Sequence, residues 1–136
     1  MRWFLVIFMT EAACIQVPYV EVYNATESLI AADSKGASCQ AEAGTICRFP
    51  YSPELTIQSQ GKKWRYSYSP PGRTVEEQTR YLESRGFLER VIRLRLDNDG
   101  MIYLVLPHGP WLSTGHQPYR FPLHPQAAGG PTGPFK

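Results

Sequence analysis

Between Gly44 and Tyr68 the chain reads GTICRFPYSPELTIQSQGKKWRYSY, an apolar segment carrying Cys47 joined to one carrying Trp64. Pro50-Tyr51-Ser52-Pro53 ends the first segment, because proline has no amide to donate to a ladder. Leu55 and Ile57 then alternate with polar neighbours, and Gln60-Gly61-Lys62 turns the chain into a last segment where Trp64, Tyr66 and Tyr68 share one side. A two-residue period interrupted by turn residues is the pattern of short strands with one buried face. Three aromatics in line form a core seam in a small β domain, or else an exposed binding stripe.

The flanking sequence extends that pattern. Over VPYVEVY, Val20 and Val22 lie on one side and Tyr19, Glu21 and Tyr23 on the other, with Pro18 placing this strand at a sheet edge. Glu27 to Ile30 reads as a turn of helix or a second strand, and the small, polar run Ala31 to Ser38 as a loop. After the breaker Ser69-Pro70-Pro71-Gly72, Thr74 to Glu77 has the form of a capping box and predicts one helix over 75–85, stopping at Gly86, with Val75, Gln78 and Leu82 toward the core. Ile92, Leu94 and Leu96 alternate with Val91, Arg93 and Arg95, and Asp97-Asn98-Asp99-Gly100 folds Met101 to Leu106 back as an antiparallel partner.

From Pro107 to Lys136 proline and glycine replace aliphatic residues, which predicts a disordered tail. His108-Gly109-Pro110-Trp111 and His116-Gln117-Pro118-Tyr119 echo each other there. The expected fold class is therefore mostly β: a small antiparallel β-sandwich or α+β domain with one short helix and a Pro/Gly-rich C-terminal tail. Residues 15–106 would form the domain and 107–136 the tail.

Compartment is read from the N-terminus. Arg2 followed by the apolar run Trp3 to Met9 and small residues Ala12, Ala13 and Cys14 has the form of a signal peptide over 1–14, too short to span a bilayer. Removing it leaves Cys39 and Cys47, an even count that permits one disulfide in an oxidising compartment or two free thiols. A bridge across that short loop stabilises by roughly 2–3 kcal/mol through loop entropy. Asn24-Ala25-Thr26 fits the glycosylation sequon. No later run is long enough for a membrane helix.

Chemical signatures are sparse. Three histidines, His108, His116 and His124, stand in the Pro-rich tail without cysteine or carboxylate companions, so no metal site and no cofactor is expected. Asp97 to Gly100 lacks the late glycine and closing glutamate of a calcium loop. No nucleophile stands in a recognisable motif, so the expectation is a protein that is not an enzyme. A net charge of +2 points to no polyanion. Lys63, Trp64, Arg65, Tyr66, Arg93 and Arg95 would make a basic, aromatic binding surface if their strands are neighbours. In a secreted protein that surface suits an acidic protein face or an acidic glycan, not nucleic acid.

Ile46-Cys47-Arg48-Phe49-Pro50-Tyr51 followed by Lys63-Trp64-Arg65 resembles the early strands of a V-type immunoglobulin domain, and CRFPYSPEL is similar to that strand in paired immunoglobulin-like type 2 receptors. Asp99-Gly100-Met101-Ile102-Tyr103-Leu104-Val105 is similar to the family's D-x-G-x-Y-x-C strand, with Val105 where the family has its second cysteine. The resemblance implies a sandwich with Trp64 at its centre, and Cys47 either paired with Cys39 or unpaired. Together these readings predict a secreted or ectodomain-type binding module, immunoglobulin-like and shortened, for a free or membrane-bound protein partner. The alternatives are an accessory subunit docking through its Pro-rich tail and, less favoured, a small secreted hydrolase.

Overall fold

The computed structural model describes residues 18–127 without 73 and 114, and of Ala127 only the backbone. The expected signal peptide, 1–14, lies outside the described residues. Among the described residues ten strands run in chain order: β1 (Tyr19–Asn24), β2 (Ile30–Ser34), β3 (Ala37–Ala41), β4 (Ile46–Pro50), β5 (Glu54–Ser59), β6 (Lys62–Ser67), β7 (Glu83–Arg85), β8 (Glu89–Leu96), β9 (Ile102–Val105) and β10 (Gln126–Ala127). One helix, α1 (Val75–Tyr81), stands between β6 and β7. The fold is mostly β, as its alternating segments predict.

One sheet has the order β4-β1-β8-β7, with β9 also paired to β8, and the other the order β10-β6-β5-β2-β3. Each strand turns alternate residues inward: Val20, Val22, Cys47, Phe49, Ile92, Leu94, Leu96, Ile102 and Leu104 from the first sheet meet Ile30, Ala32, Leu55, Ile57, Trp64, Tyr66 and Tyr68 from the second in one core. The aromatic line is thus a core seam. Trp64 and Tyr66 are fully buried, and the Tyr66 hydroxyl donates to the Gly100 carbonyl at 2.9 Å, tying one sheet to the turn between β8 and β9.

The turns follow their residues. Lys35 and Gly36 both have positive φ, as do Gln60 and Gly61, so two-residue hairpins link β2 to β3 and β5 to β6. The first of these corrects the expected loop over Ala31 to Ser38: small polar residues there pair as an edge hairpin. Asp97 to Gly100 forms the predicted turn, with the Gly100 amide donating to the Asp97 carbonyl at 2.9 Å.

Three further expectations are corrected. β1 is not at an edge, since it pairs antiparallel with β4 and parallel with β8; Pro18 precedes the first paired residue, where its missing N–H costs nothing. The helix ends at Tyr81, because Glu83 to Arg85 pair with β8 as β7. Its Thr74 cap accepts from the Glu77 amide at 3.2 Å as predicted and Leu82, just past the helix, is buried in the core, but Val75 and Gln78 are exposed and no residue of the helix itself is buried.

The domain also extends past Leu106, through the last described residues. Leu123 is buried and exchanges backbone hydrogen bonds with Ile102 (2.8 and 3.0 Å), and β10 pairs with β6. Gln117 does for β9 what a strand would do: its side-chain amide accepts from Leu104 N at 2.8 Å and donates to Leu104 O at 3.0 Å. Residues 128–136 of the expected tail lie outside the described residues.

Candidate functional site

Asn24, the sequon residue, is fully buried at the end of β1. Its Nδ2 donates to the carbonyls of Ser28 (2.8 Å) and Ala41 (2.9 Å), and its Oδ1 accepts from the Thr26 amide (2.9 Å) and hydroxyl (2.6 Å). A glycan on Nδ2 is incompatible with this packing. The sequon is a turn motif that closes β1 against β3, which corrects the expected modification site.

The cysteines do pair. A Cys39–Cys47 disulfide joins β3 in one sheet to β4 in the other, with Cα atoms 5.7 Å apart, so a bridge that is local in sequence links the two sheets at one side.

The expected basic surface does not assemble, because β6 and β8 belong to opposite sheets. Trp64 and Tyr66 point into the core, and Lys63 and Arg65 project from the outer face of the other sheet, where Arg65 makes an exposed 3.9 Å pair with Glu54. Arg93 and Arg95 lie on the outer face of the β1–β8 sheet, buried beneath the segment that follows β9.

That outer face is the most structured polar surface of the molecule. Strand register sets it: Glu21 lies opposite Arg48 on β4 and Arg93 on β8, Tyr23 opposite Arg95, and Arg95 opposite Tyr103. At one end Glu21 accepts from Arg85 (2.6 and 2.9 Å) and Arg48 (3.0 Å). Arg48 also pairs with Glu89. Glu83 accepts from Arg85 Nε (2.6 Å) and the His108 amide (3.0 Å) and lies 3.6 Å from Arg93.

Burial alone would raise the pKa values of Glu21 and Glu83, but bonds from Arg85 to both, with Arg48 on Glu21, hold both carboxyls below the ordinary range. The same bonds hold the Arg85 guanidinium firmly charged. Desolvation pulls Arg93 down, and its Nε has no hydrogen-bond partner.

The carboxylates lie low and the guanidiniums face out. Side chains of Glu21 and Glu83 are 10% and 9% exposed, against 39% and 36% for Arg48 and Arg85. An open groove of about 480 Å³ forms there, lined by Tyr19, Arg48, Arg85, Glu89 and Arg90 and by the β7–β8 hairpin tip Gly86-Phe87-Leu88. Phe87 is 87% exposed, Leu88 41% and Tyr19 39%. Sequence reasoning misses this tip because it reads Gly86 as a helix stop. The signal available was Glu83-Ser84-Arg85 and Glu89-Arg90 flanking a glycine, a hairpin pattern.

A second cleft, of about 580 Å³, lies between Tyr68 to Gly72, α1 and His116 to Phe121. Among the described residues no group of three or more His, Cys, Asp or Glu could hold a metal ion, and no helix is long and apolar enough to cross a membrane.

Fold and site together define a mostly β, two-sheet domain with a disulfide between its sheets and an exposed apolar tip beside outward-facing arginines. No protein-family model, no curated protein and no solved structure matches the chain.

Proposed function

We propose that the chain is a non-catalytic binding module, secreted or part of an ectodomain, that engages an acidic protein surface through the β7–β8 tip groove. The observation that carries this reading is Phe87, 87% exposed, with Leu88 and Tyr19 beside it and the guanidiniums of Arg48, Arg85 and Arg90 around it. Aromatic and aliphatic anchors ringed by arginine are the composition of interaction hot spots, and a hydrophobic side chain held at a hairpin tip is costly to leave in water without a use. Carboxylates on the partner would meet guanidiniums already oriented by Glu21, Glu83 and Glu89, so little side-chain entropy is lost on docking.

The Cys39–Cys47 bridge supports the secretory compartment, where disulfides persist. Cys47 and Trp64 entering one core from opposite sheets supports the immunoglobulin-like reading. The competing reading, an accessory subunit docking through the Pro-rich segment, draws on the exposed Leu112 and Tyr119.

Capture of partners from cell membranes by the full-length secreted protein tests the choice. Replacing Phe87 and Leu88 by serine is expected to reduce capture about 30-fold, whereas Leu112→Ser with Tyr119→Ser leaves it unchanged. The reverse pattern would move the site to the Pro-rich segment.

A further inference from the structure

The other end of the same outer face is covered by the chain itself, and the way it is covered resembles a bound peptide more than a strand. Residues 106–113 cross β8 without entering a ladder. They are held instead through main-chain carbonyls: Arg93 Nη1 donates to Leu106 O at 2.8 Å, and Arg95 Nη1 donates to Ser113 O at 2.8 Å and Trp111 O at 3.3 Å. One side chain anchors the segment. The Trp111 ring stacks on the Tyr23 ring at 5.5 Å and 13° and has the Arg93 guanidinium 4.0 Å from its centre.

Donors that read backbone carbonyls, together with one aromatic slot, are the means by which protein surfaces take extended peptides. The fit of this segment is incomplete. Arg93 is only 6% exposed, yet its Nε has no acceptor, and a buried guanidinium N–H without a partner is a defect that a better placed carbonyl would remove. Leu112, next to the anchor, is 67% exposed, so the segment contributes little besides Trp111 and its carbonyls.

We propose that this half of the face is a binding site for an extended peptide in which proline precedes a tryptophan or tyrosine, and that residues 107–113 are its built-in, displaceable occupant. The chemistry of the ligand is that of the occupant: Trp111 fills the slot, and the exposed Pro110 before it limits the freedom the peptide loses on docking. Because the occupant competes from the same chain, its displacement lowers the apparent affinity for any external peptide. The site does not include the hairpin-tip groove, although Glu83 touches both, accepting from the His108 amide and from Arg85.

Trp111→Leu vacates the slot while keeping apolar cover. Calorimetric titration of the full chain with the capped peptide of residues 108–113 should show the variant binding at least about tenfold tighter than the unaltered protein. The same peptide with alanine in place of tryptophan should bind neither, and adding Tyr23→Leu to the variant should remove binding. A folded Trp111→Leu protein that binds no peptide would overturn the proposal, as would equal binding of both peptides.

Should the variant melt early, hydrogen exchange on the unaltered protein decides. The His108 amide, bonded to Glu83, should exchange by local opening about 100-fold faster than amides in the centre of β8. Exchange of both at one rate would make the segment a fixed part of the fold and end the proposal.

Discussion

The two sides of the sandwich are closed by different chemistry. On one side β3 and β4 are joined by the Cys39–Cys47 disulfide, a covalent link that acts largely on the unfolded chain. On the other, the chain after β9 passes from Ile102 of one sheet, which it meets at Leu123, to Trp64 and Arg65 of the other, which it meets as β10. There nothing is covalent. Among the described residues the closure rests on one buried leucine, three backbone pairings and the Gln117 side chain, and it covers edges of β9 and β6 that would otherwise invite pairing with another molecule. The covalent side borders the hairpin-tip groove, since Cys47 is followed on β4 by Arg48, while the non-covalent side begins at the segment over Arg93 and Arg95. The side free to rearrange is thus the one next to the proposed peptide site.

Removing the non-covalent closure should have the largest effect. A chain ending at Leu106 loses Leu123, the cover of two strand edges and the Trp111 and Ser113 carbonyls that accept from Arg95. It is expected to lose its cooperative thermal transition and to self-associate, as seen by calorimetry and light scattering; a monomer with an unchanged melt would show the segment to be dispensable.

Leu123→Ala sharpens the comparison by opening that side alone, with an expected loss of about 2–4 kcal/mol in denaturant unfolding. Replacing Cys39 and Cys47 by serine opens the opposite side and is expected to cost roughly 2–3 kcal/mol in the same measurement. The Leu123 variant should also expose the β9 edge and bind a dye for apolar surface, whereas the serine variant should not.

Acid separates the two sides more gently. Glu21 and Glu83 have folded pKa values held below the ordinary 4.5, so the stability they contribute is present above that value and is lost as pH falls through the depressed values. Melting temperature should hold from neutral pH to about 5 and fall below it. Glu83→Gln should flatten that fall.

The β fold was legible because Val20 and Val22, Leu55 and Ile57, and Ile92 to Leu96 each declare a buried face through period-two alternation. Asp97 to Gly100 declared its turn in the same way, through residue types that only a turn uses well. The parallel pairing of β1 with β8 was not legible, since parallel strands meet across long connections that leave no local mark.

The helix was overextended because Glu83 and Arg85 suit a helix by propensity; what makes them a strand is ion pairing with Glu21 and Arg93, partners distant in sequence. Composition misplaced the boundary for a related reason. Proline-rich sequence signals the absence of a ladder, but Leu123 and Gln117 need none: one buries a side chain and the other substitutes its amide for a backbone. The predicted surface failed at Trp64 and Tyr66, whose periodicity was right and whose direction periodicity cannot give.

Amide hydrogen exchange at Ile102 and Leu123 tests the central claim, that the chain from Gln117 to Ala127 closes the sandwich as part of its fold. Their reciprocal hydrogen bonds predict protection close to that of β8 in the full-length protein. Exchange of the Leu123 amide at the rate of an unstructured peptide, with β8 still protected, would contradict it.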